Sequence, residues 1–62
     1  MNGKQIIAQL KKQGWTLKRV KGSRHHLMQK DGKTVPVPVH GTEDIKPGLL
    51  AALEKQTGVK LK

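Results

Sequence analysis

Residues 24–39 read RHHLMQKDGKTVPVPV and carry the signature of a β-hairpin. Asp31-Gly32 lies at the centre of this segment, between two runs whose composition is typical of strands. Asp-Gly in this setting is among the strongest sequence signals for a two-residue hairpin turn. We therefore expect residues 24–30 and 33–39 to pair as antiparallel strands.

Two prolines identify the second of these runs as an edge strand. Its three valines share one face, whereas Pro36 and Pro38 both lack an N–H on the same lateral edge. That edge cannot accept another strand, which also discourages edge-to-edge aggregation. The strand is therefore expected to pair only with the run that precedes it.

The chain before the hairpin changes from a helical to an extended pattern. An apolar stripe at i, i+1 and i+4 predicts a helix over residues 4–13, with Asn2 as its N-cap and Gly14 ending it. Trp15 and Leu17 alternate with Thr16 and Lys18, which predicts a short strand that ends near Val20. A turn is expected at residues 21–23, so this strand precedes the hairpin.

The chain after the hairpin contains the pattern of a second helix. Pro47 suits the first turn of a helix, because an N–H at that position would have no partner within the helix. Gly58 is expected to end this helix. Leu49, Leu50 and Leu53 form the apolar stripe.

These elements follow the order α-β-β-β-α. The economical way to bury two amphipathic helices is to lay both on one face of a small sheet, which predicts an α+β fold with a three-stranded antiparallel sheet. A length of 62 residues leaves room for a single domain, 1–62.

The charge of the chain indicates an anionic partner. Thirteen Lys and Arg residues against four acidic ones give a net charge of +9. Nine of these cations and only one acid fall within residues 1–33, so the binding surface is expected in the first half. An acidic polymer is the natural partner for such a surface.

Several classes of protein are excluded or disfavoured by composition. The chain has no cysteine, which excludes a disulfide framework and zinc fingers built on cysteine. No run approaches the roughly 20 apolar residues of a membrane span. We expect a cytoplasmic protein without a membrane partner.

Histidine is the candidate catalytic group, because a free imidazole titrates at about pH 6.5 and can therefore take a proton from a hydroxyl and return one to a leaving group. The segment 21–26, KGSRHH, places two histidines beside Lys21 and Arg24 and beside small residues whose amides can approach a phosphate. RNA supplies the hydroxyl at its 2′ position. The same residues also suit a plain basic turn followed by two surface histidines.

The histidines differ in what they can do. His25 and His26 are adjacent in a predicted strand, so they point to opposite faces and only one of them can lie on the open face. His40 ends the third strand beside Gly41 and could reach the same edge of the sheet as the turn at Gly22; it also suits a polar residue that ends the strand and contacts only solvent. Three histidines could ligate zinc, but their spacing does not support a site, and we expect no metal.

Three motifs carry a resemblance to a known family. Gly22-Ser23-Arg24-His25, then VPVH at residues 37–40, then DIKPGLL at residues 44–50 resemble, in this order, motifs of the HicA toxin family. A Gly-Trp pair after the first helix adds to the match, which spans nearly the whole chain.

The resemblance implies a double-stranded-RNA-binding-domain-like fold and a function. It implies a toxin of a type II toxin–antitoxin system, a metal-independent endoribonuclease that cleaves mRNA with one histidine, needs no cofactor and is inhibited by a HicB-type antitoxin. The histidine carried over is His25. Many members have histidine directly after Gly-Ser, where this chain has Arg24, so His26 is the alternative base. The residues expected to contact RNA are Lys21, Gly22, Ser23, Arg24, His26 and His40.

Two other classes fit the same composition. A non-catalytic double-stranded-RNA-binding module needs only this fold and charge, because A-form RNA is recognised by shape and phosphate contacts. A small subunit whose basic face meets only protein is the third class. Release of RNA fragments, binding without cleavage, and failure to bind RNA at low salt distinguish the three.

Overall fold

The computed structural model describes residues 1–22 and 24–61. Two helices and three strands follow the expected order and confirm the α+β fold. The elements are α1 (Gly3–Lys12), β1 (Thr16–Lys21), β2 (His25–Lys30), β3 (Lys33–Pro38) and α2 (Pro47–Thr57). The strands form one antiparallel sheet in the order β1-β2-β3. Neither helix in this described part is long and apolar enough to cross a membrane.

The hairpin between β2 and β3 forms where the sequence predicts it. Lys30 pairs with Lys33, and the two residues between them have φ values of 50° for Asp31 and 80° for Gly32. Two positive φ values in a two-residue loop define a type I′ turn, whose twist matches that of the flanking strands.

The prolines of β3 lie on its outer edge, as expected. The Val39 N–H donates to the Arg24 carbonyl at 2.7 Å. Hydrogen-bonded and non-hydrogen-bonded pairs alternate along an antiparallel ladder. Pro36 and Pro38, which pair with Leu27 and His25, therefore direct their nitrogens away from β2. No ladder hydrogen bond is lost.

The helix ends also confirm the sequence prediction. At the start of α1 the Asn2 side chain accepts from the Gln5 N–H at 2.9 Å, and the Gln5 side chain accepts from the Asn2 N–H at 2.9 Å. This reciprocal arrangement is a capping box. Helix α2 begins at Pro47 and ends at Gly58, which adopts the left-handed conformation with φ 71°.

The core lies between the helices and the β2–β3 half of the sheet. Met28 pairs with Val35 on the helix-facing side, and Val37 is fully buried beside them. The helices make their main sheet contacts with β3. The buried apolar side chains are Ile6, Leu10, Trp15, Met28, Val35, Val37, Ile45, Leu50, Leu53 and Leu61.

One part of the predicted apolar stripe on α2 is wrong. Leu50 and Leu53 are buried, but Leu49 is 42% exposed. Successive residues of a helix are rotated by about 100°, so a helix that turns Leu50 and Leu53 to the sheet carries Leu49 to its flank. Two further large apolar side chains, both on β1, are similarly exposed: Leu17 at 43% and Val20 at 44%.

We predict opposite effects of the same substitution in the first turn of each helix. A Cβ at Gly3 would collide with the Pro38 carbonyl and the Val39 side chain, so Gly3→Ala should destabilise the fold by about 1–3 kcal/mol. A Cβ at Gly48 would meet no atom of the described chain within 4 Å, so Gly48→Ala should leave stability unchanged or raise it by up to about 1 kcal/mol. Urea denaturation of both variants measures the difference. Equal stabilities would show that α1 is not packed against the end of β3.

Candidate active site and nucleic-acid interface

One end of the sheet collects residues from the basic segment. Strand β1 ends at Lys21, β2 begins at His25 and β3 ends at Pro38. Lys21 pairs with His25, and His25 pairs with Pro38. The three strands therefore present these residues side by side at one end, next to the turn that contains Gly22.

The two adjacent histidines point to opposite faces of the sheet. His26 pairs with Val20 and with the buried Val37, so it faces the helices. It is half-buried, and its Nδ1 is enclosed without a hydrogen-bond partner among the described residues. His25 is exposed on the open face. Of these two histidines, only His25 offers its imidazole to a ligand on that face.

A shallow groove of about 720 Å³ surrounds His25 on the open face. Its base is formed by apolar side chains of β2 and β3, and its cations come from β1. The residues that line the groove are Arg19, Lys21, Gly22, His25, Leu27 and Pro36. The groove thus combines an imidazole, two side-chain cations and an apolar floor.

Arg19 is a groove residue that sequence reasoning missed. Strict alternation from Leu17 would place Lys18 on the open face and Arg19 on the helix-facing side. Instead, Leu17 pairs with Met28 and Arg19 pairs with Leu27, which leaves Lys18 as the extra residue of a β-bulge. The bulge shifts the alternation by one, so Arg19 and Lys21 share the His25 face. No residue in the sequence of β1, TLKRVK, predicts this bulge.

The groove cations have no acidic partners in the described ranges. Across residues 1–22 and 24–61 the single ion pair joins the Met1 amino group to Asp44, 3.4 Å apart. No carboxylate of the described residues therefore compensates the charge of Arg19 and Lys21. An anionic ligand is the kind of molecule that the groove can bind.

Of the other residues expected to contact RNA, none that the structure describes lines the groove. Arg24 and His40 are exposed at the same end of the sheet; the Arg24 carbonyl accepts from Val39, and the His40 carbonyl accepts from the Glu43 N–H at 3.0 Å. His26 lies on the other face. Ser23 lies outside the described residues. No trio of His, Asp and Glu side chains within the described part is arranged to hold a metal ion.

The arrangement can perform acid–base chemistry on a phosphodiester. An exposed imidazole can accept a proton from a hydroxyl, and adjacent guanidinium and ammonium groups can hold the phosphate and its developing negative charge. The apolar floor at Leu27 and Pro36 suits the flat face of a base or sugar.

The chain was compared with known protein families, curated proteins and solved structures. A family model described as "HicA toxin of bacterial toxin-antitoxin" matches residues 3–59. No curated protein and no solved structure matches the chain significantly. The matched range includes every described residue of the groove.

We predict that the two adjacent histidines differ in their contribution to stability. His25→Ala should change the free energy of unfolding by no more than about 0.5 kcal/mol, because the side chain is exposed. His26→Ala should cost about 1 kcal/mol, because the ring is half-buried against the helix-facing side. Urea denaturation measures both. A larger loss for His25→Ala than for His26→Ala would contradict the assignment of the two faces.

Proposed function

The chain belongs to the HicA toxin family of bacterial toxin–antitoxin systems, and from this we propose that it is a metal-independent endoribonuclease that cleaves mRNA. The observation that carries the proposal is the position of the exposed His25. It lies in a groove with two cations, and no carboxylate of the described residues pairs with either cation. RNA brings the two groups that this groove lacks, a phosphate for the cations and a hydroxyl for the imidazole.

His25 acts as the general base. Its imidazole takes the proton of the 2′-OH, and the 2′ oxygen attacks the adjacent phosphorus. The bond from phosphorus to the 5′ oxygen breaks, and that oxygen receives a proton from the imidazolium or from water. The products are a 2′,3′-cyclic phosphate and a 5′-OH end. One P–O bond replaces another without any change of oxidation state, and the protons pass only between RNA, the imidazole and water, so no cofactor is needed.

The cations of β1 hold the scissile phosphate. Arg19 and Lys21 lie on the His25 face and are separated along the ladder by the Val20–His26 pair. Arginine can bind two phosphate oxygens at once, whereas lysine acts as a point charge. Gly22 lines the same groove, and Arg24 and His40 are exposed at the same end of the sheet, where they can add contacts to RNA. The many other lysines supply salt-sensitive affinity for RNA without regard to sequence.

A toxin of this family has an antitoxin partner. We assign that role to a HicB-type protein that neutralises the toxin through an acidic surface, because the groove cations are uncompensated in the described chain. RNA cleavage would take place in the cytoplasm, where mRNA is translated.

Histidine catalysis predicts a difference between matched variants. Long RNA is incubated in EDTA with the wild-type chain, with His25→Ala and with His26→Ala, and fragments are quantified. Loss of a general base should reduce the cleavage rate of His25→Ala by about 10²-fold to 10⁴-fold, whereas His26→Ala should retain most activity once its stability is taken into account. Full activity of His25→Ala would contradict the assignment of His25 as the general base. RNA that is bound but never cut by the wild type would favour the non-catalytic RNA-binding module.

The phosphate-holding role predicts the salt dependence of binding. Arg19→Ala and Lys21→Ala should each weaken RNA binding and lower the slope of log affinity against log salt by about 0.7 to 0.9. The control is Lys33→Ala, which removes another exposed cation, at the opposite end of the sheet. Fluorescence anisotropy with His25→Ala as the common background measures binding without cleavage. If Arg19→Ala behaves like the wild type, the groove does not hold the phosphate.

A further inference from the structure

The two edges of the sheet have different capacities to accept a strand. On β3 the outer edge is blocked, because Pro36 and Pro38 direct their nitrogens outward. Strand β1 contains no proline, and no strand of residues 1–22 or 24–61 pairs with its outer edge. An unpaired strand edge of this kind is a template for another chain.

The ladder shows which residues of β1 offer their backbone. The Val39–Arg24 hydrogen bond places the even-numbered residues of β2 against β3, so its odd-numbered residues bond to β1. Leu17 and Val20 pair with Met28 and His26, which are even-numbered. Their N–H and C=O groups therefore point away from β2, into the space beside the sheet.

The same two residues form an uncovered apolar patch. Their side chains lie on the helix-facing side, where Met28 and Val37 are fully buried. The helices pack mainly over β3, and Leu17 and Val20 stay 43% and 44% exposed. Free backbone groups and exposed apolar side chains thus coincide on one strand.

The charge of β1 decides what can occupy this edge. The strand, TLKRVK, has three cations and no acid. A second copy of the chain would place cation against cation across the new pair, which is unfavourable. We propose that the free edge of β1 binds an extended acidic segment of the antitoxin, which adds a fourth strand to the sheet. Its apolar residues would cover Leu17 and Val20, and its carboxylates would face Arg19 and Lys21.

This proposal rests on the proposed function for the partner's identity, and it adds a mode of inhibition. Carboxylates on the added strand would reach the open face beside Arg19 and Lys21 and engage the two cations that hold the phosphate. Cleavage would then stop without any contact to His25. Main-chain hydrogen bonds would supply affinity, and the alternation of apolar and acidic residues would supply specificity, as in other cases of strand addition.

A peptide probe tests this edge. An acetylated and amidated peptide of alternating Val and Glu, about eight residues long to span β1, is titrated into ¹⁵N-labelled protein and followed by amide chemical shifts. An isomer with all Glu before all Val has the same charge but cannot alternate. We expect the alternating peptide to shift the amide signals of Leu17, Lys18 and Val20, to bind at least about tenfold more tightly than the isomer, and to slow RNA cleavage.

Three variants separate backbone from side-chain contributions. Val20→Pro removes an outward N–H as the prolines of β3 do, and Leu17→Asp places an acid in the patch; each should weaken peptide binding by at least about tenfold. Leu49→Asp is the matched control, since Leu49 is 42% exposed on α2, and it should bind normally. Dispersed amide spectra verify that each variant is folded. If Val20→Pro does not fold, Leu17→Asp still tests the proposal.

Several outcomes would overturn the proposal. These are equal binding of both peptides, the absence of shifts in β1 at about 1 mM peptide, and a dimer of the free chain that Val20→Pro abolishes. Cleavage by the free chain is measured separately. A chain that binds the peptide at β1 but cuts no RNA leaves the edge site standing while the proposed function fails, and the reverse result removes the edge site alone.

Discussion

Burial of Met28 and Val37 beneath the helices fixes the face on which every residue of β2 lies. Because side chains alternate along a strand, a slip of one residue would exchange the two faces completely. His26 would then meet solvent on the open side, and His25 would face the helices. The type I′ turn holds the same register from the other end of the hairpin. The position of the proposed base thus depends on apolar packing some distance from it.

The groove end of the sheet is supported by α1. Gly3 lies so close to the Pro38 carbonyl and to Val39 that it leaves no space for a side chain. The first turn of α1 therefore packs against the end of β3, directly beside the strand pair that contains His25. Uncompensated cations at this end repel one another, which destabilises the fold. Tight packing of the helix against the hairpin offsets this repulsion, and binding of an anion would reduce it.

Local chemistry explains how much of the structure the sequence could predict. The Asp31-Gly32 turn, the edge prolines and the Asn2 cap are short-range features whose residues specify their own geometry. Placement of His25 and Lys21 at one end of the sheet followed from the turn predicted at residues 21–23. Arg19 could not be placed, because the bulge at Lys18 comes from pairing between strands. The bare face of β1 and the exposure of Leu49 depend on where the helices settle, which periodicity alone does not determine.

The central step of the proposed mechanism is attack by the 2′-OH after His25 has taken its proton. One substitution in the RNA tests this step directly. Once a cleavage site has been located, an oligonucleotide with a single 2′-deoxy nucleotide on the 5′ side of the scissile phosphate is compared with its all-RNA counterpart in EDTA. The mechanism predicts equal binding, no cleavage at the substituted position, and a 2′,3′-cyclic phosphate on the fragments of the all-RNA strand. Cleavage of the deoxy-substituted bond at an undiminished rate would contradict it.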